Sequence, residues 1–340
     1  MLYELLHICG QEKIESFQEH PLYGYFQKAK MIAFGASSDV YEIMFDEKRI
    51  VLKIVPVDVS PPHDESVFKI HDVISYVMII KELSNCDSIS GFEDFSGFPC
   101  IYDIRVVEGV YPEVLKSLRS RFSEKHRLFK ESGYIPPVHQ QYLLTVTAYA
   151  GVPLSDYWFT SVAQAFSIIY QIIFIFRWAE IKLKFEHRDL HARNILIDDD
   201  GSESITSEDQ QIVLKTFGVR VSIVNLRCAR IEKDCCCAFH DFSSDHAVMT
   251  LPIVGSVFER MWEITGNEWK SFHPATNLLW IGHIVEFVGE RLNRLEVGRN
   301  IERKQFKEHF SSLEKSADLD LWLKASSVPD FLIEPIINDL

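Results

Sequence analysis

The 340-residue sequence predicts an α+β protein of two lobes, a strand-rich N-terminal lobe and a helical C-terminal lobe. Three observations lead there. Between residues 26 and 57 apolar and polar side chains alternate, in the runs 40–45 and 50–55 on either side of the turn-like Asp46-Glu47-Lys48, as half-buried strands require. From residue 155 to 184 apolar side chains instead recur at helical spacing, with aromatics on the apolar face. The change from one pattern to the other falls near Gly151, where the lobes are expected to divide.

Taken in order, the hairpin of residues 40–55 comes first. Pro61-Pro62 ends it, and residues 64–83 carry Val67, Ile70, Ile74, Val77 and Met78 at the spacing of one long helix. Short strands are expected at 99–105 and 141–147, then the long helix at 155–184. Strands at 194–197 and 219–224 flank an acidic, Ser-rich stretch, 198–211, which is read as a solvated loop. No internal repeat is visible.

Composition narrows the function. With 47% hydrophobic and 12% aromatic residues the chain can bury a large core. A formal charge of -14 argues against an extended nucleic-acid surface, which needs Lys and Arg to displace counterions from phosphates, and suits a basic partner. The start, Met1-Leu2-Tyr3-Glu4-Leu5-Leu6, places an acid among apolar residues and lacks the basic opening and small-residue cleavage site of a secretion signal, so the first 28 residues are read as an extension packed on the fold. The most apolar run, 167–176, is too short to cross a bilayer, and no membrane segment is expected. Seven cysteines, three of them consecutive at Cys235, Cys236 and Cys237, fit a reducing compartment, cytoplasm or nucleus, rather than a disulfide framework. A zinc site at that run with His240 and Asp241 is disfavoured by the spacing, and these cysteines are read as small buried hydrophobes on a strand.

The chemistry is concentrated in His187-Arg188-Asp189-Leu190-His191-Ala192-Arg193-Asn194, which follows the long helix and leads into Ile195-Leu196-Ile197. It matches the catalytic loop of protein kinases, in which an Asp orients the attacking hydroxyl and an Asn five residues later holds a metal on the phosphates. Upstream, Lys53 lies mid-strand and Glu82 near the end of the following helix, in the order that places a phosphate-binding Lys and its helix carboxylate partner. Ala33-Phe34-Gly35-Ala36-Ser37-Ser38-Asp39-Val40 stands where a glycine-rich phosphate loop belongs. It keeps only Gly35 and Val40, and Asp39 is expected to add negative charge beside the phosphates.

Several stretches resemble the haspin family of divergent eukaryotic protein kinases: Lys81-Glu82-Leu83-Ser84, Gly109-Val110-Tyr111-Pro112 with Leu115, Phe185-Glu186-His187-Arg188-Asp189-Leu190-His191 with Asn194, Arg230-Ile231-Glu232-Lys233-Asp234, and above all His273-Pro274-Ala275-Thr276-Asn277-Leu278-Leu279-Trp280. The likeness covers roughly residues 30–290. It implies a bilobal protein-kinase fold, with residues 29–150 as the N-lobe and 151–340 as the C-lobe. It also implies ATP and Mg2+ as cofactors, a monomer, and a basic protein substrate like the histone H3 tail, phosphorylated in the nucleus during mitosis. By the same resemblance Asp189, Lys53 and Glu82 are catalytic. Gly35, Val40, Lys53, Asn194 and the hinge residues Tyr149 and Gly151 bind nucleotide, and Ala148 takes the place of a bulkier residue behind adenine.

One departure bears on activity. Where the family has Asp-Tyr-Thr this chain has Asn225-Leu226-Arg227, so the metal would be held by Asn194 and Asn225, two amides. The segment 252–260 also departs from the family's acidic stretch. Three readings follow: an active Ser/Thr kinase in which Asn225 suffices or Asp241 or Asp245 substitutes, a pseudokinase that binds without transferring phosphate, and a small-molecule phosphotransferase, against which Arg188 and the 273–280 stretch speak.

Overall fold

The computed structural model describes residues 1–340 except 36–37, 59–67, 85–96, 126–139, 207–211, 244–254 and 335–340. Two compact units emerge: Met1–Lys81 with Cys100–Tyr149, and Glu82–Pro99 with Ala150–Leu340.

The first unit is built on a seven-stranded sheet. Its elements are α1 (Leu2–Cys9), β1 (Glu15–Ser16), β2 (Lys30–Gly35), β3 (Ser38–Phe45), β4 (Lys48–Asp58), β5 (Phe68–Lys69), α2 (Ile70–Leu83, whose last two residues count with the second unit), β6 (Ile101–Glu108), α3 (Glu113–Lys125) and β7 (Gln141–Ala148). The strand order is β1-β6-β7-β4-β3-β2, with β5 beside β4. The β3–β4 hairpin closes on Asp46 and Glu47, both at positive φ, the backbone a two-residue hairpin turn needs. Strand parity then sorts the side chains. Tyr41, Ile43, Leu52, Ile54, Leu144 and Val146 face one core with Phe17, Phe26 and Leu115. The paired residues Val40, Lys53 and Thr145 lie on the other face, in register across three strands.

α3 is polar in composition and gives little apolar periodicity, yet it is a helix because Leu115 is fully buried and Leu118 and Phe122 pack on the first core. The stretch Gly109-Val110-Tyr111-Pro112 that precedes it has a specific task. Tyr111 donates its hydroxyl to Asp39 Oδ2 at 2.8 Å and shares a hydrogen bond of 3.0 Å with the Tyr41 hydroxyl, while Arg119 stands 3.6 Å from the same carboxylate. Asp39 is therefore buried on the core side of β3, and burial holds its carboxyl above the usual range. The expected charge beside the phosphates is corrected: β3 turns Val40 to Lys53's face and Asp39 away from it.

The second unit is mainly helical: β8 (Val152–Pro153), α4 (Val162–Leu183), β9 (Ile195–Asp198), β10 (Ser204–Thr206), β11 (Val213–Lys215), β12 (Arg220–Ile223), β13 (Arg230–Lys233), β14 (Cys236–Phe239), α5 (Gly255–Thr265), α6 (Ala275–Arg294), α7 (Asn300–Phe310), α8 (Leu319–Ala325) and β15 (Ile333–Glu334). α4 starts seven residues after the expected Ser155, where Ser161 caps it by accepting from Gln164 N at 3.1 Å. It is long and apolar enough to cross a membrane by composition, but most of its side chains are buried inside this unit. Even its polar Gln171 is used, accepting from Val221 N and donating to Val219 O, which pins β12 against the helix. The acidic stretch after β9 is not all loop. β10 and β11 pair there and β11 also pairs with β15, burying Ile205 and Leu214.

The cysteine run is corrected as well. Asp234 and Cys235 form the positive-φ turn between β13 and β14, and Cys235 and Cys236 are exposed. No cluster of metal-ligating side chains occurs among the described residues.

Candidate active site

The catalytic loop, in the second unit, is held from below by buried polar contacts. Arg188 is fully buried at a left-handed φ of 61° and donates through Nε and Nη2 to both oxygens of Glu186, at 3.1 and 2.9 Å. Glu186 also accepts from His273 N at 3.0 Å and from the Thr276 hydroxyl at 2.7 Å. Asn277 accepts from His187 N at 3.1 Å and donates to the Phe185 carbonyl and to Glu180 Oε1, both at 2.8 Å. The His273-Pro274-Ala275-Thr276-Asn277 stretch, at the start of α6, is thus the clasp on this loop.

His187 fixes the loop's next turn. Its Nε2 lies 3.0 Å from the Val224 carbonyl, which can only accept, and its Nδ1 accepts from Asp189 N at 3.2 Å. These partners select the neutral Nε2-H tautomer, and burial agrees by lowering the imidazole to about 4.

Asp189 is half-buried at the surface of this unit. Asn194 Nδ2 donates to the Asp189 carbonyl at 2.7 Å and reaches its Oδ2 at 3.4 Å, and Asn225 Nδ2 donates to the same Oδ2 at 3.3 Å. Burial raises the Asp189 carboxyl to about 7, against the lowering by Asn194 and by the charge of Arg227. Asn225 takes the left-handed backbone that Asn tolerates better than most residues, and the neighbouring Val224 N donates to Asn194 O at 2.9 Å. The structure therefore brings Asp189, Asn194 and Asn225 together. Each amide aims its nitrogen at the carboxylate. Of the two acids considered as substitutes, Asp241 accepts from Ser243 N at 2.9 Å, and Asp245 lies outside the described residues. Gly151 also belongs to this unit. At φ 100° it packs against β9 so closely that a Cβ would collide with the Ile197 carbonyl, which explains the glycine.

In the first unit Val40 and Lys53 are direct cross-strand partners and β2 ends on Gly35. Lys53 Nζ stands 5.3 Å from the centroid of the Tyr76 ring on α2. Glu82, expected to partner Lys53, belongs to the second unit and accepts there from Lys233 Nζ at 2.6 Å. Tyr149 N donates to Arg49 O at 3.3 Å, and the Arg49 guanidinium, tied to Glu42 at 2.8 Å, lies 3.4 Å above the Tyr149 ring. The register pairs Val51 with Thr147 and Ile50 with Ala148, the residue expected behind adenine. Thr147 shares the face of Lys53, whereas Ala148 faces the core side.

Sequence reasoning missed the clasp on Glu186.

Comparison with known proteins agrees with the resemblance. A family model described as "Haspin like kinase domain" matches residues 1–324. The chain is similar to the "Serine/threonine-protein kinase haspin homolog" of Drosophila melanogaster, 25% identical over 300 residues that cover 85% of this chain and 52% of that protein. To the "Serine/threonine-protein kinase haspin" of Mus musculus it is 24% identical over 336 residues, 96% of this chain and 43% of that protein. An Arabidopsis thaliana haspin homolog is 26% identical over 294 residues, 84% and 48%. The chain spans about half the length of the curated relatives it matches.

Proposed function

Since the chain belongs to the haspin-like kinase family and has its bilobal kinase-like fold, we propose that it is an ATP-dependent Ser/Thr kinase acting on a basic protein segment of the histone H3 tail type, in the nucleus or cytoplasm. The observation that carries this is the Asp189 carboxylate, half-buried and aimed by Asn194 on a loop clasped by Glu186 and Asn277. A carboxylate so placed can accept the proton of an incoming hydroxyl. Lys53 supplies the positive charge for nucleotide phosphates, and the net charge of -14 favours a basic substrate. Mg2+ would be held by the Oδ1 atoms of Asn194 and Asn225, and when bound it neutralises phosphate charge. Two amides hold a hard cation less strongly than a carboxylate does, so high metal concentrations are expected to be needed.

That weakness favours a second reading, a pseudokinase serving as a binding module. One assay separates the two: radiolabelled phosphate transfer from ATP to a histone H3 tail peptide, across a Mg2+ titration, for wild type, Asp189→Ala and Asn225→Asp. Wild-type transfer that Asp189→Ala abolishes is the expected result. Transfer by Asn225→Asp alone would overturn the kinase reading in favour of the pseudokinase.

A further inference from the structure

Tryptophan is highly buried on average, yet Trp158, on the loop between β8 and α4, is 69% exposed. Its neighbours on either side are buried: the Tyr157 and Phe159 rings meet edge to face with centroids 5.7 Å apart. The backbone around it is tied as well. Tyr157 O accepts from Arg291 Nε at 3.0 Å, the Tyr157 hydroxyl donates to Asp199 Oδ1 at 2.8 Å, and Thr160 N donates to Gln164 Oε1 at 3.0 Å. With residues 157 and 159 anchored inward, the indole is left to project outward, and it makes no ring contact or hydrogen bond among the described residues. A rigid, preorganised aromatic of this kind is what a binding surface uses as an anchor.

Two features say what the anchor meets. The first is its place. Leu154 N donates to Ile195 O at 2.8 Å and Ser155 N to Ala192 O at 3.1 Å, which fastens this loop to the catalytic loop and the strand that leaves it. Three residues of chain, at most about 10 Å, separate Ser155 from Trp158. The second is charge. Asp156, exposed two residues before Trp158, and Asp199, exposed just past β9 where Tyr157 holds it, have no cationic partner among the described residues. An indole face attracts an ammonium or guanidinium, and carboxylates nearby accept its N-H groups. We propose that Trp158, with Asp156 and Asp199 near it, is the docking point for a Lys or Arg side chain of the segment that presents its hydroxyl to Asp189. The proposal rests on the reading of this chain as a kinase for a basic protein segment and gives one of that segment's cations a place.

The test uses the full chain and a fluorescein-labelled histone H3 tail peptide with Ala at each Ser and Thr, so that fluorescence anisotropy reads binding without transfer. A second peptide carries Gln at each Lys and Arg. Wild type is expected to prefer the basic peptide. Trp158→Tyr, which keeps a ring face, should bind it nearly as well, and Trp158→Leu should weaken it about 2- to 30-fold, the range a cation-π contact spans. The indole packs against no other ring, so both variants are expected to fold. Equal binding by Trp158→Leu and wild type overturns the docking role, as does equal binding of the two peptides or no binding of the basic one. Phosphate transfer from ATP to the unmodified peptide tests the kinase reading separately. Binding that depends on Trp158 without any transfer leaves the docking point standing and overturns the kinase reading, whereas transfer with the same KM in wild type and Trp158→Leu does the reverse.

Discussion

Glu180 should make this protein less stable as pH rises, and Glu180→Gln should remove that dependence. The carboxyl lies in the core of the second unit, where burial raises it from 4.5 to about 8 and the nearby charges of Asp318 and Glu186 add to the rise, while the hydrogen bond from Asn277 opposes it. The folded state therefore holds a proton that the unfolded chain gives up near pH 4.5. Stability from this group is complete below pH 4.5 and is lost as pH climbs to about 8, because over that window the native state binds more protons than the unfolded one. At 1.36 kcal/mol per pH unit the full window is worth up to about 5 kcal/mol, and water penetration on ionisation reduces this to roughly 2–4 kcal/mol. Glutamine keeps the length and the oxygen that accepts from Asn277 Nδ2, and it has no proton to lose. Urea unfolding of wild type and Glu180→Gln at pH 5.5 and 8.5 isolates the effect as a difference of differences, cancelling every other titrating group. The variant should lose less stability between the two pH values by about 2 kcal/mol or more. Parallel curves, within about 0.5 kcal/mol, would show that Glu180 is ionised and solvated in the folded state.

Two further outcomes follow from the loop's supports. Arg188→Met leaves Glu186 buried with its charge uncompensated and should cost about 3–5 kcal/mol in urea unfolding; Glu186→Leu combined with Arg188→Met should recover part of it, and a single-variant loss under about 1 kcal/mol would mean that the ion pair is idle. Asn225→Asp replaces an amide that donates to Asp189 Oδ2 at 3.3 Å with a second carboxylate, a repulsion on the order of a few kcal/mol at an effective dielectric near 20. Its thermal midpoint should fall below wild type in EDTA and rise steeply with Mg2+, whereas a midpoint indifferent to Mg2+ would show that no cation enters between residues 189 and 225.

What the sequence discloses and what it hides divide along a physical line. The catalytic loop is legible because its residues are contiguous and their spacing is the chemistry: Asp189 and Asn194 meet through a turn five residues long, and no distant contact decides whether they do. The β3–β4 hairpin is legible for the same local reason. Whatever depends on phase is not. Which residue of α2 comes near Lys53 depends on which side of the helix faces β4, and there the Tyr76 ring lies 5.3 Å from Nζ, whereas the sequence points to Glu82, one residue from the helix end. Thr147 and Ala148 differ by one place in a strand, and a one-place shift exchanges the two faces of a sheet. Asp39 misleads because a carboxylate in a strand is read as exposed, whereas here the hydroxyl of Tyr111, 72 residues away, and the guanidinium of Arg119 make its burial tolerable. The cysteines mislead in the opposite sense, since apolar identity suggests a core, whereas the hairpin register puts Cys235 in the turn. The same reasoning explains the 273–280 stretch. Its family resemblance is conspicuous in the sequence, but its purpose is visible only when Glu186 is seen accepting from His273 and Thr276 together with Arg188. A buried charge needs every partner in place at once, and that is why those residues come as a block.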